Sequence, residues 1–230
     1  MKMALITGAN RGIGREAACE LAARGFHVVI GARKSAAGQK IVQEILQKGQ
    51  RAGFLAIDVA DTENVIAAAA EFASQWDHLD VLVNNAAIKL ESDVSALGNS
   101  DEILRQTLET NTLGPLRVTR AFAALLAKSP APRVINVSSG GGQLSEGAGG
   151  WAPAYCISKT ALNMVTAQLA VALPRFAVNS ICPGWVKTDM GGEAAPRTVQ
   201  QGADTIVWLA DAAPQNLTGR FLRDREIIPW

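Results

Sequence analysis

The sequence predicts an α/β fold built on a doubly wound sheet of about seven mainly parallel strands, with helices on both faces. Three observations predict it. Short, continuously apolar segments alternate with longer segments whose apolar residues recur at helical spacing. A glycine-rich turn joins the first apolar segment to the first helical one. The unusual polar residues follow the ends of apolar segments, where such sheets bind ligands.

The predicted strands are Met3–Ile6, His27–Ile30, Ala52–Ile57, Val81–Asn84, Val134–Val137, Ala177–Ile181 and Arg220–Leu222. The predicted helices are Ile13–Arg24, Ala36–Lys48, Glu63–Gln75, Asp101–Ala127, Pro153–Leu173 and Val199–Leu209. Because strands and helices alternate, right-handed crossovers order the strands in parallel, as in Rossmann-type folds.

Composition and charge restrict the possible functions. The 230 residues are 48% hydrophobic without a composition break, which predicts one domain over 1–230. A net charge of +1 argues against general binding to nucleic acid or an anionic membrane. No apolar run reaches the ~18 residues of a membrane span, and Met3–Ile6 is too short for a signal sequence. Three cysteines without a C-x-x-C pair or Cys/His cluster predict a cytoplasmic protein without a metal site.

The first half of the chain, about residues 1–110, carries nucleotide-binding signals. The turn Thr7-Gly8-Ala9-Asn10-Arg11-Gly12-Ile13-Gly14 allows pyrophosphate to approach the backbone, and the following helix N-terminus offers free N–H groups. An ordinary strand–helix turn is the alternative. After the third strand, Asp58 precedes Val59 and is expected either to bind an adenine amino group or to cap a turn.

The end of the second strand predicts the cofactor. It reads Gly31-Ala32-Arg33-Lys34 and lacks the carboxylate with which an NAD site binds the ribose 2′-hydroxyl. A guanidinium suits a 2′-phosphate, so Arg33, together with Arg11 from the glycine-rich turn, predicts NADP(H). Solvated surface charge is the alternative.

The second half, about residues 111–230, carries groups suited to proton transfer. Tyr155 and Lys159 lie one helical turn apart, and Tyr155 is the chain's one tyrosine. An ammonium beside the phenol is expected to lower the tyrosine pKa. Ser138-Ser139 ends the fifth strand, where a hydroxyl can hold a carbonyl oxygen. A hydrolytic serine is disfavoured because the G-x-S-x-G motif is absent.

Asn111 lies in a helical run that Pro115 interrupts. Pro115 has no N–H to donate to the carbonyl of Asn111, four positions earlier. If the helix continues, it should kink, and the freed oxygen is available to a water. Alternatively, the helix ends at Gly114.

Together these motifs resemble the classical short-chain dehydrogenases/reductases from the first strand to about the last. The matching residues are Thr7-Gly8-x-x-x-Gly12-Ile13-Gly14, Asp58, Asn84-Asn85-Ala86, Asn111, Ser139, Tyr155-x-x-x-Lys159 and Pro183-Gly184. The segment 183–190 and Gly219-Arg220-Phe221, followed by Trp230, look like the carbonyl-reductase branch.

The resemblance implies an NADP(H)-dependent reductase of ketones or aldehydes with a tetrad of Asn111, Ser139, Tyr155 and Lys159. Tyr155 would protonate the carbonyl oxygen, and Lys159 would bind ribose and lower the tyrosine pKa. Ser139 would orient the substrate, and the Asn111 main-chain carbonyl would hold a relay water. A 3-oxoacyl-carrier reductase, an alcohol dehydrogenase acting oxidatively and a dinucleotide-sensing protein remain alternatives.

The predicted cofactor contacts are Gly8, Asn10, Arg11, Gly12, Ile13, Arg33, Asp58, Val59, Asn85, Ala86, Tyr155, Lys159, Pro183, Gly184, Val186 and Thr188. The predicted substrate pocket, mainly apolar and suited to a hydrophobic or aromatic carbonyl, comprises Gln143, Leu144, Trp151, Trp185 and Met190. Packing is the alternative role of the two tryptophans.

Two departures from the family pattern carry expectations. Ala87 replaces the usual glycine, and its methyl group is expected to crowd the cofactor or to require a different backbone angle. Ser139 and Tyr155 are only 155 − 139 = 16 positions apart, so the insertion of some carbonyl reductases is missing. The helices Asp101–Ala127 and Pro153–Leu173 are therefore expected to pair with another subunit in a homodimer or homotetramer.

Overall fold

The computed structural model describes all residues, 1–230, and contains one eight-stranded sheet. Its strands are β1 (Met3–Thr7), β2 (His27–Ala32), β3 (Arg51–Ala56), β4 (Val81–Asn84), β5 (Arg133–Val137), β6 (Ala177–Ile181), β7 (Phe221–Arg223) and β8 (Glu226–Ile228). Their order is β3-β2-β1-β4-β5-β6-β7-β8, and only β8 runs antiparallel to its neighbour. The predicted doubly wound α/β fold is confirmed.

Seven α-helices cover the two faces of this sheet. They are α1 (Gly12–Ala23), α2 (Ser35–Leu46), α3 (Thr62–Gln75), α4 (Asp101–Leu108), α5 (Gly114–Leu126), α6 (Pro153–Ala172) and α7 (Val199–Asp211). A π-helical turn, Glu109–Leu113, joins α4 to α5, so the predicted helix Asp101–Ala127 is continuous but irregular. No helix is both long and apolar enough to span a bilayer.

The eighth strand was not predicted. It returns along β7 through a tight turn in which Asp224 and Arg225 both have positive φ, 52° and 66°. Hairpins of this kind usually carry glycine or asparagine at such positions, so the sequence gives only a weak hairpin signal. Arg225 is held there by an ion pair with Asp204 of α7.

Apolar cores lie on both faces of the sheet. Ile6 and Ile30 pack with α1 and α7 on one face, whereas Leu82 packs with α3 and α5 on the other. Strand order reverses between β1 and β4, so the connections after these strands leave on opposite faces and open a crevice at their carboxyl ends.

A buried polar network ties the strands together beneath this crevice. Asn84 Nδ2 donates to Asn136 Oδ1 (2.8 Å), and Asn136 Nδ2 donates to Thr166 Oγ1 (2.9 Å). Thr166 Oγ1 is in turn 2.7 Å from Ser180 Oγ. The network links β4, β5, β6 and α6. Its side chains pair with one another because buried polar groups need hydrogen-bond partners.

Candidate active site

The glycine-rich turn after β1 has no room for side chains. A Cβ atom on Gly8, whose φ is +66°, would lie 2.9 Å from the Cα atom of Ala86. A Cβ atom on Gly14 would lie 2.4 Å from Nδ2 of Asn85. This close approach explains the glycines and leaves the backbone of the turn accessible to a ligand.

The N-terminus of α1 lacks a cap. Its N-cap residue, Arg11, is extended and makes no side-chain capping bond, and the first turn contains no acidic residue. The N–H groups of this turn, which begins at Gly12, therefore have no acidic side-chain partner. Free N–H groups and the positive end of the helix dipole suit a phosphate, so the structure fits a bound pyrophosphate here.

Thr7 fixes the start of the segment after β4. Its Oγ1 accepts hydrogen bonds from the N–H groups of Asn85 and Ala86, each at 3.1 Å. Asn85 Nδ2 donates to the carbonyl oxygens of Thr7 (2.9 Å) and Gly8 (3.2 Å). Ala87 is not among the residues with positive φ, so its backbone has a conformation that alanine readily adopts. The expected effect of its methyl group on the cofactor stays a prediction.

The segment after β6 is folded around Arg197. The side chain of Arg197 fills the space beside Gly184, where a Cβ atom would lie 2.4 Å from Arg197 Cδ. Val186 is buried and forms an isolated parallel bridge with Arg197, close behind Pro183. An ion pair between Arg197 and Asp224 anchors the segment to the β7–β8 turn.

This segment lies against the glycine-rich turn. Thr188 Cγ2 would be 3.3 Å from a Cβ atom on Gly12, and Ile13 packs against the core. Arg11 Nη1 is 2.6 Å from Asp189 Oδ2. Arg11 thus pairs with Asp189 within the chain, where the sequence predicted contact with a 2′-phosphate.

The cations after β2 have no such partner. Arg33 and Lys34 are both exposed at the carboxyl end of β2, and neither takes part in an ion pair. No acidic side chain competes with a ligand for Arg33. Asn10, half-buried in the neighbouring glycine-rich turn, makes no side-chain hydrogen bond of its own.

Asp58 caps a turn, as one of its two interpretations predicted. Its Oδ1 accepts from the N–H of Ala60 (3.1 Å), and its own N–H donates to Asn64 Oδ1 (2.6 Å). Val59 is buried, and its carbonyl oxygen accepts a hydrogen bond of 2.5 Å from Arg117. Contact of Asp58 with an adenine stays a prediction.

Tyr155, Lys159 and Ser139 meet at the carboxyl end of β5. Lys159 Nζ lies 5.6 Å from the centroid of the Tyr155 ring and donates to the carbonyl oxygen of Val137 at 2.8 Å. Ser139 Oγ accepts from the N–H of Gly141 (3.1 Å). Tyr155 and Lys159 are both buried in the first turns of α6.

Burial controls the acidity of this pair. It raises the pKa of Tyr155 to about 12, although the neighbouring Ser139 hydroxyl acts in the opposite direction. Burial also lowers the pKa of Lys159 to about 7. The prediction that the pKa of Tyr155 is lowered is therefore wrong for the protein on its own. Desolvation disfavours the charged forms of both Tyr155 and Lys159.

Asn111 lies in the π-helical turn, where Pro115 interrupts the usual ladder. The N–H of Gly114 donates to the carbonyl of Glu109, five residues earlier, and the helix continues. The alternative ending at Gly114 is wrong. The buried side chain of Asn111 binds both the N–H and the carbonyl of Ile88, each at 2.8 Å, and donates to Ser158 Oγ at 3.0 Å.

The predicted substrate residues differ in their placement. The Trp151 ring lies 5.9 Å from the Tyr155 ring, tilted by 34°. Trp185 and Met190 are exposed, as is Leu144 at 70%. Gln143, by contrast, is buried and donates to Ser145 Oγ, so its side chain packs within its own loop.

Sequence reasoning missed two contributors to this region. Asp93 is buried and accepts hydrogen bonds from the N-terminus of α6. Trp230, noted only as part of the resemblance, stacks on Phe221 and accepts a hydrogen bond of 3.1 Å from the N–H of Ser145. The hydrogen bonds that join α6 to Asp93 and Ser145 to Trp230 leave no local signal, because each joins residues far apart in the chain.

The fold and this site define a short-chain dehydrogenase. The family described as short chain dehydrogenase matches residues 2–199, and the chain belongs to it. Among relatives, (+)-neomenthol dehydrogenase of Arabidopsis thaliana is 33% identical over 91% of each chain. Carbonyl reductase (NADPH) 1 of Sus scrofa is 30% identical over 100% of this chain and 94% of its own.

A solved structure gives the same result. The NADPH-bound carbonyl reductase from chicken fatty liver superposes with a TM-score of 0.88 at 27% identity, covering 100% of this chain and 99% of that one. The resemblance to the carbonyl-reductase branch of the family is therefore confirmed.

Proposed function

We propose that the protein reduces a ketone or aldehyde to an alcohol with NADP(H), using Tyr155 as proton donor. The observation that carries this proposal is the convergence of Tyr155, Lys159 and Ser139 at the carboxyl end of β5, on the same edge of the sheet as the glycine-rich turn. A pure dinucleotide sensor has no need of a buried tyrosine–lysine pair. When bound, NADP(H) supplies the hydride that reaches the carbonyl carbon.

We assign the 2′-phosphate of the cofactor to Arg33. Its guanidinium is exposed and unpaired at the carboxyl end of β2, whereas Arg11 is already paired with Asp189. The pyrophosphate is assigned to the uncapped N-terminus of α1. Relatives named as NADPH carbonyl reductases support the same cofactor.

Tyr155 is protonated at neutral pH, because burial raises its pKa to about 12. It therefore holds a proton for the carbonyl oxygen, which the Ser139 hydroxyl orients. Once the proton leaves, the ammonium of Lys159, 5.6 Å from the ring, favours the phenolate. With a pKa near 7, Lys159 can exchange protons at neutral pH. The main-chain carbonyl of Asn111 is assigned to a relay water.

The surroundings of Tyr155 favour an apolar substrate. Trp151 lies beside the phenol ring. Trp185, Met190 and Leu144, which we assign to the same pocket, expose apolar surface. Flat hydrophobic or aromatic carbonyls can stack on such side chains.

A homodimer is proposed through α5 and α6. These helices expose an apolar groove that includes Leu116, Met164 and Leu173, with Met164 at 61% exposure. No insertion between Ser139 and Tyr155 is available to cover it, so a second copy is the expected occupant. Light scattering at micromolar concentration should give a mass that is a whole multiple of the 24.2 kDa chain. Met164→Glu should shift the measured mass toward that of the single chain. A monomeric wild type would refute the dimer.

We place the protein in the cytoplasm as a single domain. Its three cysteines are unpaired, which suits a reducing compartment. One continuous sheet spans both halves of the chain.

A carbonyl panel tests the proposed reaction. Purified protein is assayed with NADPH and with NADH against aromatic ketones, aldehydes and carrier-linked 3-oxoacyl groups. The proposal predicts NADPH oxidation with free apolar carbonyls. Turnover restricted to carrier-linked substrates would favour the 3-oxoacyl reductase, and NADPH binding without any turnover would favour a sensor.

A further inference from the structure

The helix that carries Tyr155 begins without a cap of its own. Its N-cap residue, Ala152, is left-handed (φ 39°, ψ 64°) and has no side-chain acceptor. Pro153 follows and has no N–H. The first N–H groups of α6, those of Ala154 and Tyr155, therefore need an acceptor from elsewhere in the chain.

Asp93 supplies that acceptor from the segment between β4 and α4. Its Oδ1 lies 3.0 Å from the nitrogen of Ala154, and its Oδ2 lies 2.9 Å from the nitrogen of Tyr155. The two contacts span 61 and 62 positions of sequence. Asp93 is 5% exposed, so these bonds form away from bulk water.

Asp93 is itself held in place. Asn99 Nδ2 donates to Asp93 Oδ1 at 2.6 Å, and Asn99 Oδ1 accepts from the N–H groups of Val94 and Ser95. The carboxylate therefore belongs to a compact turn with little freedom to move. Such an arrangement can fix the position of the helix end it contacts.

We propose that Asp93 is a positioning residue for the proton donor. Tyr155 lies in the first turn of α6, which frays most easily because its N–H groups lack partners within the helix. By binding the N–H of Tyr155, Asp93 holds the phenol in register with Ser139. This inference rests on the proposed role of Tyr155 as acid.

The first test does not depend on activity. Tyr155 is the only tyrosine, so protein labelled with ¹⁵N-tyrosine gives one backbone amide signal, that of the N–H bound by Asp93. Asp93→Ala should accelerate hydrogen exchange of this amide about tenfold or more, since the closed state loses its acceptor. Asp93→Asn, which keeps one acceptor oxygen, should lie between the two.

The second test separates positioning from general stability. Asp93→Ala should lower kcat about 10- to 100-fold and leave KM for NADPH within about twofold, because small displacements of a reacting group are costly. Asp93→Asn should recover part of the loss. The matched control is Asp80→Ala, which removes another buried carboxylate, one bound by the N–H of Met3 (2.7 Å) and Ser129 Oγ (2.5 Å).

Asp80 precedes β4 at the amino edge of the sheet, so its loss should lower Tm and leave kcat unchanged. Equal kcat losses for Asp80→Ala and Asp93→Ala, or an unchanged Tyr155 amide in Asp93→Ala, would overturn the inference. If Asp93→Ala does not fold, Asp93→Asn decides both tests by the same criteria. A wild type that lacks reductase activity would refute the proposed function, whereas the amide measurement would still judge the contact.

Discussion

The N-termini of α1 and α6 lie at the same edge of the sheet, but only the N-terminus of α6 is capped by a side chain. At α1 the first turn has neither a side-chain cap nor an acidic residue. At α6 a buried carboxylate, Asp93, binds the N–H groups of Ala154 and Tyr155. The positive end of α1 is left for an anionic ligand, whereas the positive end of α6 is satisfied within the protein. We call the N-terminus of α1 the open terminus and that of α6 the closed terminus. An open terminus suits ligand binding, and a closed terminus suits the fixed placement of a reacting side chain.

The largest expected effect on the rate comes from Tyr155→Phe, in the first turn of α6. The change keeps the ring and removes the hydroxyl, so kcat should fall about 10³-fold or more, while NADPH binding at the open terminus is unchanged. Steady-state rates and NADPH fluorescence titration measure the two separately. Activity near that of the wild type would remove Tyr155 from the mechanism.

Lys159→Met should lower kcat about 100-fold and also weaken NADPH binding, because one side chain serves both the phenol and the ribose. It should nevertheless raise Tm by roughly 2–4 °C. Burial lowers the pKa of Lys159 from 10.5 to about 7, so below pH 10.5 the charged form is favoured more strongly in the unfolded chain than in the folded one. Removing the amine relieves this cost.

Thermal unfolding at pH 7 checks the Lys159→Met prediction, with the exposed Lys48→Met as control. Lys48→Met should change neither Tm nor rate. A lower Tm for Lys159→Met would show that the bond to Val137 outweighs the burial of charge.

Arg33→Ala tests the nucleotide side of the comparison. A charge-assisted hydrogen bond contributes about 1.5–3 kcal/mol, and exposure to solvent places this one at the lower end. KM for NADPH should rise about tenfold while KM for NADH is unchanged. Arg11→Ala, which removes a side chain paired with Asp189, should have a smaller effect. Equal kcat/KM of the wild type with NADPH and NADH would show that Arg33 does not bind the 2′-phosphate.

Ala32→Asp tests the preference for NADPH by adding a negative charge at the end of β2. A carboxylate at the end of β2 would repel a 2′-phosphate and accept hydrogen bonds from ribose hydroxyls. The ratio of kcat/KM for NADPH to that for NADH should fall several-fold or more. An unchanged ratio would place the phosphate elsewhere.

The smallest expected effect is that of pH. The ammonium of Lys159 favours the phenolate left by proton transfer, and it loses its proton as pH rises through about 7. The value of kcat/KM for carbonyl reduction should therefore decline several-fold between pH 7 and pH 9. A rate that increases over this interval would contradict the assignment of Lys159.

The two termini also differ in how far the sequence predicts them. The glycine-rich turn and α1 are contiguous, so their spacing alone predicts both the fold and the anion site. Likewise, Tyr155 and Lys159 share one helix face and could be paired from their spacing. Asp93 lies 62 positions from Tyr155, and an isolated aspartate in a loop carries no pattern.

The burial of a side chain is a second property that a local sequence pattern does not reveal. The charge of a neighbouring lysine predicts a lower pKa for Tyr155, but the depth of both side chains is set by tertiary packing. Desolvation of the buried phenol is the largest influence on that pKa and raises it to about 12. The π-helical turn at Asn111 was signalled by Pro115, although the exact form of the irregularity depends on packing against α6.

The most direct test of the central claim follows the hydride. NADPH carrying deuterium at C4 of the nicotinamide, in each of its two stereochemical forms, is incubated with the protein and an accepted carbonyl substrate. The account predicts that one of the two forms places a single deuterium on the carbinol carbon of the alcohol, as seen by mass spectrometry. An alcohol free of deuterium with both forms, or no alcohol at all, would contradict it.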